Sequence, residues 1–128
     1  MEPFDIKKFG REGEQIVKNF LKEKGYKIFE IDWIAKKNDD YICVEVKRKT
    51  GRFKPPPFEG QGFDVYKINM RVEYETKTSN KQYIIIIEED TKNILGQWLS
   101  ILEKGKKFDT AKGIRIYPIE SFEIIGNF

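Results

Sequence analysis

Two acidic residues and a lysine carry the chemistry in this sequence: Asp32, in the run Glu30-Ile31-Asp32-Trp33-Ile34-Ala35, and Glu45 and Lys47, in Val44-Glu45-Val46-Lys47. Both runs alternate apolar and polar positions with a period of two, so both are predicted strands. Between them, Lys37-Asn38-Asp39-Asp40 is turn chemistry, because Asn and Asp tolerate the left-handed region and bond their own backbone. With Asn38-Asp39 as a two-residue loop, Lys37 pairs with Asp40, and stepping back along both strands brings Asp32 directly opposite Glu45. Their Cβ atoms then lie about 5 Å apart on one face, and Lys47, two residues on, shares that face. Like charges in such a position are unfavourable, and a bound cation explains them. Asp39 and Asp40 are poor rivals, since Asp40 sits at the turn, roughly 16 Å along the strand from Glu45 at about 3.3 Å per residue.

The absence of histidine narrows the chemistry further. No histidine-based nucleophile system or general base is available, and zinc sites built on His and Cys are excluded in practice. Catalysis must come from carboxylates, lysines, tyrosines or a hard metal ion held by oxygen ligands. Cys43 is the single cysteine, which precludes an intrachain disulfide and suits a reducing, cytoplasmic compartment. A net charge of +3 does not by itself imply nucleic acid, so local clustering must carry that argument. The longest purely apolar run, Tyr83 to Ile87, falls far short of the ~20 residues that span a bilayer, and no apolar leader opens the chain. No membrane partner is expected. The length of 128 residues fits one domain with a real core, residues 1–128 throughout.

The elements that must position these residues can be read in order. A helix is predicted from Ile6 to Lys24, with Phe9, Gly13, Ile16, Val17, Phe20 and Leu21 as its apolar stripe and Gly25 as its stop. Glu12 and Glu14 flank that stripe on opposite sides, and periodicity does not choose between them. Tyr26 to Lys36 reads as one long strand, with room for a break, and Tyr41 to Arg48 as the second. Phe29, Ile31, Trp33, Ile42, Val44 and Val46 mark one face as core. The opposite face mixes Ile28, Ile34, Tyr41 and Cys43 with Glu30, Asp32, Glu45 and Lys47, and the first helix is expected to cover part of it.

Residues 49–62 hold three prolines and three glycines and are predicted to form a long loop. Lys47, Arg48, Lys49, Arg52 and Lys54, leading from the strand into this loop, make the most basic stretch in the chain, interleaved with Phe53 and Phe58, a mixture suited to phosphate contact and base stacking or to a solvated rim. Asp64 is a predicted N-cap with Phe63 and Ile68 as hydrophobic staple, heading a helix to Thr76 that buries Val65, Ile68 and Val72. Gln82 to Glu88, with four consecutive isoleucines, reads as a central strand buried on both faces. A strand at Ile94–Gln97, a short helix from Trp98 to Lys104, a last strand at Gly113–Tyr117 and a docked apolar tail complete a mixed α/β order.

A strand Asp followed by Glu-x-Lys on its neighbour resembles the PD-(D/E)xK nuclease superfamily. The resemblance covers roughly residues 10–88, and Ile31-Asp32-Trp33-Ile34 with Val44-Glu45-Val46-Lys47 is close to small endonuclease-like and Holliday-junction-resolvase-like members. It implies a restriction-endonuclease-like core, a mixed central β-sheet flanked by helices in αββ(β)αβ order. It also implies a Mg²⁺-dependent (or Mn²⁺-dependent) endonuclease acting on DNA, with branched and single-stranded forms among the candidate substrates. On that resemblance Asp32 and Glu45 bind the metal, the Val46 carbonyl adds a ligand, and Lys47 is the catalytic lysine. Glu14, which follows Gly13, matches the helix acid of those members better than Glu12, and Gln61 and Tyr66 fall where some relatives carry a supporting residue. Arg48, Lys49, Arg52, Lys54 and Gln61 are the expected nucleic-acid contacts. Repair, recombination or phage defence would be the setting, and a C₂ homodimer is the natural arrangement where both strands are cut.

The chemistry is consistent with this, since a carboxylate-held Mg²⁺ activates water and clamps a phosphate without histidine. Glu-x-Lys alone is a weak motif, because an exposed strand of alternating charge produces it, and Glu30 opposite Lys47 could be a plain cross-strand ion pair. A non-catalytic nucleic-acid-binding module on the same fold is the alternative.

Overall fold

The computed structural model describes residues 6–23, 27–29, 34–37 and 40–128. In chain order its elements are α1 (Ile6–Glu23), β1 (Lys27–Phe29), β2 (Ile34–Lys37), β3 (Asp40–Lys49), β4 (Gly60–Asp64), α2 (Val65–Thr78), β5 (Lys81–Glu88), β6 (Asn93–Trp98), α3 (Leu99–Lys104), β7 (Phe108–Asp109), β8 (Ile114–Pro118) and β9 (Glu123–Asn127). A six-stranded sheet runs in the order β1-β2-β3-β5-β6-β9, and a three-stranded sheet in the order β4-β8-β7. Among the described strands only the β3–β5 pair is parallel, and a parallel neighbour requires a crossover. Here the crossover is the 50–59 loop, β4 and α2. The result is the expected mixed sheet flanked by helices.

The isoleucine run fixes the centre. Ile84, Ile85, Ile86 and Ile87 are all fully buried, because β5 has sheet partners on both edges and packed layers on both faces. Ile84 and Ile86 join Phe63, Ile68, Leu95, Leu99, Leu102, Tyr117 and Phe122 on one side, the side of α2, α3 and the small sheet. Ile85 and Ile87 join Val17, Val44 and Ile94 on the other, the side of α1. α2 starts as expected: the Asp64 carboxylate accepts from the Tyr66 amide at 3.0 Å, while Phe63 and Ile68 enter one buried cluster. It ends at Ser79, which adopts φ 62° and donates its amide to the Glu75 carbonyl.

Three elements depart from the sequence reading. The first long strand is two strands, β1 and β2, paired antiparallel from Lys27 with Lys36 to Phe29 with Ile34. Alternating apolar residues look the same across such a reversal, so periodicity could not separate them. The second departure is β4, within the stretch expected to be loop. Its glycines permit a close approach to β8, since a Cβ at Gly60 would lie 2.1 Å from the Tyr117 carbonyl oxygen. Finally, the C-terminal segment is not simply a docked tail. Its residues Glu123–Asn127 form β9 and pair with β6 at the sheet edge.

Candidate active site

β3 divides the chemistry between the two faces of the sheet. Val44 packs against Val17 of α1, with Ile16 and Val46 beside that cluster. Arg48, on the same face, lies under Gly13, whose Cβ position would be 3.0 Å from the Arg48 Cβ. Glu45 and Lys47 therefore project to the opposite face, the one that α2 covers. This reverses the expected placement of the first helix. The reason is physical: the Gly13-Ile16-Val17 stripe needs an apolar partner, and Val44, Val46, Ile85 and Ile87 offer one where Glu45 and Lys47 do not.

The Glu45 carboxylate lies between two cations. Lys47 Nζ is 3.6 Å from Oε1, and the Arg71 guanidinium of α2 forms a close ion pair with Oε2. The Glu45 side chain is 18 % exposed and that of Lys47 36 %, so the pair is partly desolvated yet reachable. Arg71 is fixed in turn. It donates to Gln82 Oε1 at 2.9 Å, and the Gln82 side chain donates to the Asn80 carbonyl at 3.2 Å, while its backbone amide donates to Glu75 Oε1 at 2.9 Å. Sequence reading did not single out Arg71. Its position three residues beyond Ile68 puts it at the edge of the buried helix face, but only the crossover brings that edge over Glu45. A cleft of about 420 Å³ opens beside this ion pair, between α2 and β3, with Cys43, Lys67, Met70 and Tyr74 around it.

The hairpin register is the expected one wherever it is described. Lys37 pairs with Asp40, Lys36 with Tyr41, Ala35 with Ile42 and Ile34 with Cys43. Asp32 and Glu30 lie outside the described residues, as do Ile31 and Trp33. Glu14 belongs to α1, with its side chain outside the described ones, whereas Glu12 is engaged with Arg48 at 3.0 Å. Among the described residues no cluster of three or more Asp, Glu, His or Cys side chains could hold a metal ion.

The basic stretch is arranged differently from the expectation. Arg48 is 12 % exposed and pairs with Glu12 and, closely, with Glu89. Arg52 grips Glu88 through Nε at 2.7 Å and Nη2 at 2.8 Å, and reaches Glu59 at 2.7 Å. Gln61 is fully buried, with Nε2 donating to Glu88 at 2.8 Å and to the Gly51 carbonyl at 3.1 Å. Three of the expected nucleic-acid contacts are thus turned inward, each drawn by a carboxylate that the sequence did not flag as its partner. Glu88 collects Arg52, Gln61 and the Thr91 hydroxyl. Burial raises its pKa, but these donors outweigh it and hold the carboxyl below its ordinary value. Lys49 is half-buried, with burial and then Lys47 lowering its pKa. Lys54 remains at the surface, its side chain 73 % exposed.

Across both chains' lengths, the fold matches that of Hjc, a Holliday junction resolvase from the archaeal hyperthermophile Archaeoglobus fulgidus, with a TM-score of 0.66, 13 % identity and 91 % of each chain covered. The restriction-endonuclease-like fold inferred from sequence, a mixed central sheet flanked by helices, is the one observed, with Glu45-Val46-Lys47 on the third strand. No protein-family model matches the chain. A UPF0102 protein of Alkaliphilus oremlandii (strain OhILAs) is 34 % identical over 114 residues, covering 80 % of this chain and 91 % of that protein. The chain belongs to the UPF0102 family. No helix among the described residues is long and apolar enough to cross a membrane.

Proposed function

We propose that this protein is a Mg²⁺-dependent (or Mn²⁺-dependent) endonuclease that hydrolyses phosphodiester bonds of DNA. The observation that carries the reading is a partly desolvated carboxylate, Glu45, with Lys47 3.6 Å away on the same strand face, at the lip of a cleft. The resolvase-like fold supports it.

The donor chemistry fits a hard cation. Glu45 is a carboxylate oxygen donor, the type a hard cation takes, in a chain that contains no histidine. Asp32 and Glu45, with the Val46 carbonyl, are the residues that would hold the ion. When bound, Mg²⁺ lowers the pKa of a coordinated water and neutralises the phosphate. Lys47 orients the attacking water and stabilises charge developing on the phosphoryl oxygens. Arg71 compensates the Glu45 charge and adds a second cation beside the scissile group. Glu14 is the proposed accessory acid.

One observation favours a second reading, a nucleic-acid-binding module without catalysis: Glu45 is already compensated by two cations. Plasmid, single-stranded and four-way-junction DNA, and RNA of matched sequence, incubated with Mg²⁺, Mn²⁺ or EDTA, separate the two. Metal-dependent cleavage abolished by Glu45→Ala supports the nuclease. Cleavage of none of these substrates, or cleavage indifferent to Glu45→Ala, sinks it, and binding without cutting selects the module.

A further inference from the structure

The cleft beside Glu45 has a composition that the cleavage chemistry does not require. Its outer wall is one face of α2, where Lys67, Met70, Arg71 and Tyr74 follow at helical spacing. Met70 is 54 % and Tyr74 43 % exposed, large apolar groups left in water beside cations, which is the pattern of a binding surface. Lys67 makes no ion pair or hydrogen bond among the described residues, unlike Arg71, which is held by Glu45 and Gln82. Among the described lining residues Lys67 and Arg71 stand beside one carboxylate, that of Glu45, which also has Lys47 3.6 Å away, so the described lining is net positive. A volume of about 420 Å³ lies within the range of small-ligand sites.

We propose that this cleft holds one unpaired nucleotide of the substrate strand, its base against Tyr74 and Met70 and its phosphate at Lys67, which directs the protein to single-stranded or junction DNA over continuous duplex. Within a duplex each base face is covered by its neighbours, so Tyr74 can stack only on a base that has left the helix. A cation beside an aromatic is also how single-stranded nucleic acid is held without reading its sequence. The inference takes the position of the scissile phosphate near Glu45 from the nuclease reading, but its test does not depend on cleavage.

Fluorescence anisotropy in EDTA with a short labelled oligothymidine and with a duplex of equal length gives that test. The single strand is expected to bind tighter than the duplex, and Tyr74→Leu and Lys67→Gln are each expected to weaken it by about tenfold. Lys77→Gln, on the same helix but paired with Glu73, should leave binding unchanged. Circular dichroism checks that each variant folds, and Lys67, being exposed, provides a variant that does not disturb packing. Equal affinity for duplex and single strand, or binding indifferent to both substitutions, overturns the proposal. So does a change in sedimentation without a change in DNA binding, which would give this face to a second copy of the chain. Tyr74-dependent binding by a protein that never cleaves would sink the nuclease reading and leave this one standing.

Discussion

Arg71 of α2 and Glu45 of β3 form an ion pair across the joint between helix and sheet, and Gln82 of β5 holds the other side of the guanidinium. One arginine therefore ties the candidate catalytic strand to both its neighbour in the sheet and the helix above it. The Glu45 side chain is 18 % and the Arg71 side chain 24 % exposed, so neither charge is fully hydrated. Arg71→Ala leaves a partly buried carboxylate with Lys47 alone and an unpartnered Gln82 oxygen. The expected cost is about 1–3 kcal/mol in stability, measured by urea denaturation. An unchanged midpoint would show that water replaces the guanidinium without penalty.

Glu45→Gln keeps the shape of the side chain and removes its charge. If Glu45 holds the metal, cleavage should fall by at least about a hundredfold, the scale seen when a preorganised electrostatic contact is lost. Mn²⁺ affinity, followed by titration calorimetry, should fall in parallel. Cleavage that survives with full Mn²⁺ affinity would remove Glu45 from the site.

The Arg52–Glu88 pair predicts an acid dependence. Glu88 is fully buried and receives Arg52, Gln61 and Thr91. Its folded pKa lies below the ordinary 4.5. The stability this contributes is present above that ordinary value and is lost as pH falls through the lower, folded one. Glu88→Gln should therefore flatten the acid limb of stability measured across that interval. At neutral pH, Arg52→Ala should cost about 3–5 kcal/mol, because it strands a buried carboxylate. A full acid limb in the Glu88 variant would assign the dependence to the other depressed carboxyls, such as Asp109 beside Arg115.

Gly60→Ala tests the joint between β4 and β8. The added methyl would meet the Tyr117 carbonyl oxygen at 2.1 Å, and that oxygen belongs to a strand paired with β4 along its whole length. The expected loss is about 3 kcal/mol, at the upper end of ordinary overpacking, seen as a lowered Tm. A neutral outcome would mean that β8 can shift away without disturbing Tyr117, whose hydroxyl donates to Glu103 at 2.9 Å.

Local features determined a good part of this protein. Apolar period placed α1 and α2, the Asp64 carboxylate fixed the start of α2, and the isoleucine run identified β5 as central. Turn chemistry at Asn38-Asp39 specified the register from Lys37 with Asp40 to Ile34 with Cys43. Each of these depends on residues close in sequence, so each could be read there. The chain reversal between β1 and β2 could not, because alternation carries no sign of direction. Nor could the choice of face for α1, which depends on the fit of Ile16 and Val17 to distant apolar positions on β3 and β5. The partners of the charges were decided last. Arg71 meets Glu45, Arg52 meets Glu88 and Arg48 meets Glu89 across the β3–β5 crossover, while Arg48 meets Glu12 where α1 packs on β3. A sequence shows which charges exist, but a charge pairs by distance in space, and only the tertiary structure sets that distance.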